Sequence, residues 1–166
     1  MQRTALRAAA ERQVARRHWT EAVVETGYER VHTMTDYYDG PRRGIADFEG
    51  RPHLYESEWD DRADNYASTF RLTPVEPRIL GLALESWGIW RRWETAFYQG
   101  RTAQETHPAL PEERSRSDEL HELLERELKI DEHHYIRAHG DFKTLDDPEW
   151  SELGWRPLQV KWTRTS

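Results

Sequence analysis

Between residues 79 and 97 the chain sets Ile79, Leu82, Ala83, Trp87, Trp90, Trp93 and Phe97 at helical spacing. That period of 3.6 is one no strand can present. Three tryptophans on one stripe need a broad surface to pack against, so the rest of the chain must supply one. Leu80, Leu84 and Ile89 widen the apolar face, and Gly100 supplies a C-terminal cap. Thr73-Pro74-Val75-Glu76 has the form of a capping box with Pro at the first helical position, and Pro77 is placed to delay the regular helix by a turn. The helix is therefore expected at the centre of the fold with its tryptophans in the core. The alternative is a single Trp that lines a pocket beside Arg91 or Glu94.

Strand patterns flank this helix. From Val31 to Thr73, short runs rich in Thr, Tyr and Phe are broken by Asp39-Gly40-Pro41, Glu49-Gly50 and Arg51-Pro52, the signature of a β-meander. In the last run Tyr66, Ser68, Phe70 and Leu72 alternate with Ala67, Thr69 and Arg71, which points Tyr66 and Phe70 inward. Beyond the loop Thr106 to Pro111, a second helix buries Leu120, Leu123, Leu124 and Leu128; then Ile136, Ala138 and Phe142, and Leu158, Val160 and Trp162, return to strand alternation. The predicted fold is α+β: a largely antiparallel sheet of about five or six strands covered by two main helices. An N-terminal basic helix or arm over residues 1–27 precedes a single domain over 28–166. That helix is read from Leu6, Ala10, Val14 and Val23, and residues 1–20 carry five Arg and one Glu.

The stretch from Asp36 to His53, DYYDGPRRGIADFEGRPH, packs turn residues, aromatics and both charge signs into two tight bends. It resembles a block in an uncharacterised bacterial family of hypothetical proteins, and the likeness runs on through Trp87 to Trp93 and the Thr106 to Pro111 loop, about residues 31–128. The resemblance implies a shared domain and carries over no activity and no catalytic residue. In the residues themselves, Gly40 and Gly44 permit unusual backbone angles and Pro41 fixes a bend, so Asp39, Arg42 and Arg43 are displayed at a hairpin tip.

Composition excludes several function classes. The 31 Asp and Glu outnumber 24 Lys and Arg, for a net charge of −7, which argues against general nucleic-acid binding. No cysteine is present, so thiolate catalysis, disulfides and Cys-ligated metals are ruled out. The motifs of a phosphate loop, a dinucleotide fingerprint and a nucleophile elbow are missing, and no cofactor is expected. No apolar run approaches a membrane span and no secretory signal is apparent, which places the chain in the cytoplasm. His121-Glu122-Leu123-Leu124-Glu125 misses the zinc-helix motif because Glu125 stands where the second His is required, and no metal is expected.

Two readings of function follow. Asp47, Glu49, Glu56, Glu58, Asp60, Asp61 and Asp64 gather near Trp59, a combination suited to recognising a basic protein partner, with Trp59 as anchor and Asp60 and Asp61 speeding encounter. On that reading the chain is a non-enzymatic binding protein of the bacterial cytoplasm, of an immunity or antitoxin type. The other reading is a small-molecule enzyme or sensor whose pocket lies between the sheet and the Trp-rich helix. It uses Asp39, Arg42, His53 and His107, with His53 as acid/base and Arg42 as an anion clamp.

Overall fold

The computed structural model describes residues 23–36, 40–145 and 157–165. The helix expected within residues 1–27 falls largely outside them, as does Asp39. Among the described residues six strands form: β1 (Glu29–Asp36), β2 (Arg43–Phe48), β3 (Arg51–Asp60), β4 (Asn65–Pro74), β5 (Ile136–Thr144) and β6 (Leu158–Arg164). Between β4 and β5 lie the two helices, α1 (Pro77–Tyr98) and α2 (Arg114–Glu127). The α+β class, and the order of four strands, two helices and two strands over the described residues, match expectation.

The sheet itself differs from the open layer that was expected. All neighbouring strands pair antiparallel and β6 returns to β1 through Glu29↔Val160 and Arg30↔Gln159, closing a barrel. Closure removes both exposed strand edges and moves the main core from under the helices to inside the strands. Val31, Ala46, Phe48, Tyr55, Phe70, Leu72, Ala138, Leu158 and Val160 form that interior, with Phe142 and Trp162 packed against it. The rings of Tyr55, Phe70, Phe142 and Trp162 all touch one another, with every centroid separation between 5.4 and 6.1 Å. Gly140 makes room for them: a Cβ there would lie 2.7 Å from Trp162.

Two glycines of the hairpin block do different jobs. Gly40 has φ of 101°, as its place in a bend requires. Gly44 is needed for space, since a Cβ would stand 2.0 Å from the Thr33 carbonyl oxygen and 2.6 Å from the Tyr55 hydroxyl. Phe70 points inward as its alternation predicts, but Tyr66 is 39% exposed. A register shift between Ser57 and Trp59 precedes the Trp59↔Tyr66 pair, which sits at the outer end of the β3–β4 hairpin.

Helix α1 packs outside the barrel and is not the centre of the fold. Ile79 and Ala83 meet Ile45 and Leu54 on the outer face of β2 and β3, joined by Leu128 from the end of α2. Burying four such branched side chains stabilises the docking by about 1.5–3 kcal/mol each. Ile89, Ala109 and Leu120 form a smaller cluster at the helix pair. The capping box does not form: β4 continues through Pro74, α1 begins at Pro77, and Thr73 Oγ1 instead accepts from Asp131 N at 3.0 Å. At the other end Gly100, with φ of 71°, donates to Phe97 O, and Arg101 N donates to Ala96 O at 2.8 Å. These two bonds are a Schellman cap at the glycine the sequence marks.

Candidate functional site

Between α1, α2 and the paired ends of β1 and β2 lies a cavity of about 1090 Å³. One wall is a single stripe of α1: Ala83, Ser86, Trp87, Trp90 and Glu94. These positions recur three and four apart, so they share a helix face. The facing wall is the corresponding stripe of α2, with Ser117, His121, Leu124 and Leu128. Met34 and Thr35 of β1, Arg43 of β2, and His107 and Pro108 complete the lining, with Glu125 and Lys129 at the end of α2.

The polar groups in this wall have defined settings. Trp87 and Trp90 stack at 5.0 Å with planes 28° apart. One turn on, Glu94 Oε1 accepts from Arg91 Nη1 at 3.2 Å, both side chains being largely buried. Desolvation raises the Glu94 pKa above its ordinary value, with the Arg91 charge opposing the shift. Burial likewise pulls Arg91 down to about 9, with Glu94 opposing it, and leaves the guanidinium protonated at neutral pH. Across the cavity, His121 Nδ1 lies 2.8 Å from the Ser117 carbonyl oxygen. A carbonyl only accepts, so Nδ1 carries the proton and Nε2 of the neutral ring is an acceptor. Arg43 is engaged elsewhere: Nη2 donates to Leu128 O at 2.7 Å and Nε to Glu56 at 3.4 Å. It ties the barrel to the end of α2.

Of Arg42, His53 and His107, nominated from sequence as a pocket, only His107 lines this cavity. Its ring stands edge-on to Trp93 at 4.6 Å, and its carbonyl accepts from Arg114 at 3.0 Å. His53 is 5% exposed, shares the inward face of β3 with Tyr55, donates Nδ1–H to Arg51 O at 2.8 Å, and meets Phe48 edge-on. Arg42 lies over the Tyr66 ring at 4.7 Å. The structure therefore does not bring Arg42, His53 and His107 together, and Asp39 lies outside the described residues. Trp90 and Glu94, raised as the alternative to a core tryptophan stripe, do line the cavity. Sequence reasoning missed His121 because it was weighed as a zinc ligand only. The signal lay in the spacing of Ser117, His121, Leu124 and Leu128 along one face of α2.

The acidic segment is largely compensated. Asp47 Oδ1 meets His32 Nε2 at 2.8 Å, Glu49 pairs with Arg164, Glu56 with Arg43 and Arg71, and Glu58 with Arg137. Asp60 Oδ1 accepts from the backbone N–H groups of Arg62 and Ala63 and so caps the turn. Asp61 is exposed beside it, and Trp59 is 50% exposed, edge-on to Tyr66 at 5.1 Å. Among the described residues, no three His, Asp or Glu side chains converge as a metal site, and no helix is long and apolar enough to cross a membrane. No protein-family model, curated protein or solved structure matches the chain.

Proposed function

We propose that this protein binds a small organic molecule in the cavity between its barrel and its helix pair. The observation that carries the reading is a concavity of about 1090 Å³ whose mainly apolar walls hold a stacked tryptophan pair and a largely buried carboxylate. Ligand sites combine these features: a concave apolar body with a few fixed polar groups that set orientation. A core packed only for stability would close such a space. Thermal melts with bicyclic aromatics that bear an amine, a carboxylate or no charge test the reading, in the native chain and in Ser86→Phe, which fills the cavity from α1. A binder in about 100-fold excess over its Kd raises stability by about 2.7 kcal/mol, and Ser86→Phe removes that gain. No stabilisation by any of the compounds, or equal stabilisation of both proteins, contradicts the reading.

A second reading is favoured by Trp59, half exposed at the tip of the β3–β4 hairpin with Asp60 and Asp61 adjacent. There an exposed aromatic anchor within an acidic rim suits a basic protein partner. The ion pairs of Glu49, Glu56 and Glu58 leave this surface less charge than the sequence suggests. Charge reversal at Asp60 and Asp61 tests it: slower association with a captured basic partner supports the reading, and unchanged kinetics oppose it.

A further inference from the structure

The polar chemistry of the cavity narrows the class of ligand, on the reading that the cavity is a binding site. Its two best-defined groups are acceptors. In its neutral form His121 donates Nδ1–H to the Ser117 carbonyl and so presents Nε2 as a lone pair. Glu94 engages Arg91 through Oε1, while Oε2 makes no hydrogen bond with the described residues. Arg91 does not itself line the cavity, and Arg43, which does, is committed to Leu128 O and Glu56. Trp90 stands one turn before Glu94 on the same face and lies only partly buried against Trp87. An indole face followed four residues later by a carboxylate is an arrangement that favours a cation with N–H donors, because the ring quadrupole and the carboxylate act on the same charge.

We infer that the ligand is an organic amine: an apolar ring body against Trp90, with a protonated amine between that indole and Glu94 Oε2. A further N–H or O–H on the ligand reaches His121 Nε2. Lys129, exposed just past the end of α2, is the group that would favour an anion instead, and Glu125 contributes an opposite charge to the same lining. Burial supports the assignment as well. The carboxyl of Glu94 is held above its usual range by desolvation, a cost that a bound cation relieves.

Isothermal calorimetry with tryptamine, indole and indole-3-acetate, which share one ring and differ in charge, tests the inference on the intact protein. Tryptamine is expected to bind about tenfold or more tighter than indole, and indole-3-acetate more weakly than indole. In Glu94→Gln, checked for an unchanged melting temperature, tryptamine falls to within about threefold of indole, whose own affinity is unchanged. The comparison in the native chain does not depend on whether that variant folds. Equal affinities for tryptamine and indole-3-acetate, each lost in Ser86→Phe, overturn the amine assignment and leave the cavity reading standing. Binding of none of the three, or binding unaffected by Ser86→Phe, overturns both.

Discussion

The hydroxyl of Tyr55 donates to the carbonyl of Thr33 at 3.0 Å inside the barrel, through the space that Gly44 leaves beside it. This bond joins β3 to β1 across β2, next to the register shift between Val31 and Thr33 in β1. Tyr55 is completely buried, so the pairing is made in a setting where an unmet polar group is costly.

Substitution at Gly44 follows from that geometry. Gly44→Ala sets a methyl 2.0 Å from a backbone oxygen, which cannot move without opening the β1–β2 pair. The expected cost in denaturant melts is about 3 kcal/mol or more. Gly81→Ala, in α1 with nothing within 4 Å of the new Cβ, should stabilise by about 0.5–1 kcal/mol. Similar effects at the two positions would contradict the packing described.

Tyr55→Phe removes the donor and leaves the Thr33 carbonyl buried without it. A loss of about 1–3 kcal/mol is expected. Denaturant melts read it directly, and a loss below about 0.5 kcal/mol would mean that the carbonyl finds another donor.

The extent to which sequence foretells this fold divides along physical lines. Helix α1 was legible because apolar residues from Ile79 to Phe97 keep one period and Gly100 ends it. Barrel closure was not legible, since it rests on Glu29↔Val160 and Arg30↔Gln159, pairs distant in sequence whose alternation is the same in an open sheet. The acidic segment misled for a related reason. Its neutralising cations, Arg71, Arg137 and Arg164, come from β4, β5 and β6, and local charge counting cannot assign them. The site was half legible: Trp90 and Glu94 share a stripe in the sequence, whereas the facing position of His121 depends on how α2 docks.

Glu94 supplies a pH prediction. Its folded-state pKa is raised above 4.5, first by desolvation, against the pull of Arg91. A group of this kind contributes stability that is fully present below its unfolded value and is lost as pH rises through its folded one. Carboxyl NMR titration should place Glu94 above 4.5, and in Arg91→Met higher still, because the opposing attraction is gone. A Glu94 midpoint at or below 4.5 in the native chain would contradict a desolvated carboxyl.

At the hairpin tip, stability effects should separate neighbours. Asp60→Ala loses a turn cap and is expected to cost about 1 kcal/mol. Asp61→Ala should change stability by no more than about 0.5 kcal/mol. Trp59→Ala removes an edge-on contact with Tyr66 worth about 1 kcal/mol. Melts of the three variants decide it, and a loss of about 3 kcal/mol at Trp59 would place that ring in a core.

The most direct test of the cavity as the working site is a tryptamine titration followed through the indole N–H signals of the tryptophans. Trp87 and Trp90 line the cavity, whereas Trp59 stands at the hairpin tip and Trp162 inside the barrel with its Nε1 donating to Asp47 O at 2.9 Å. Saturable shifts of Trp87 and Trp90, with Trp59 and Trp162 unmoved, are the predicted result. Unmoved Trp87 and Trp90 signals, or shifts confined to Trp59, would contradict the account.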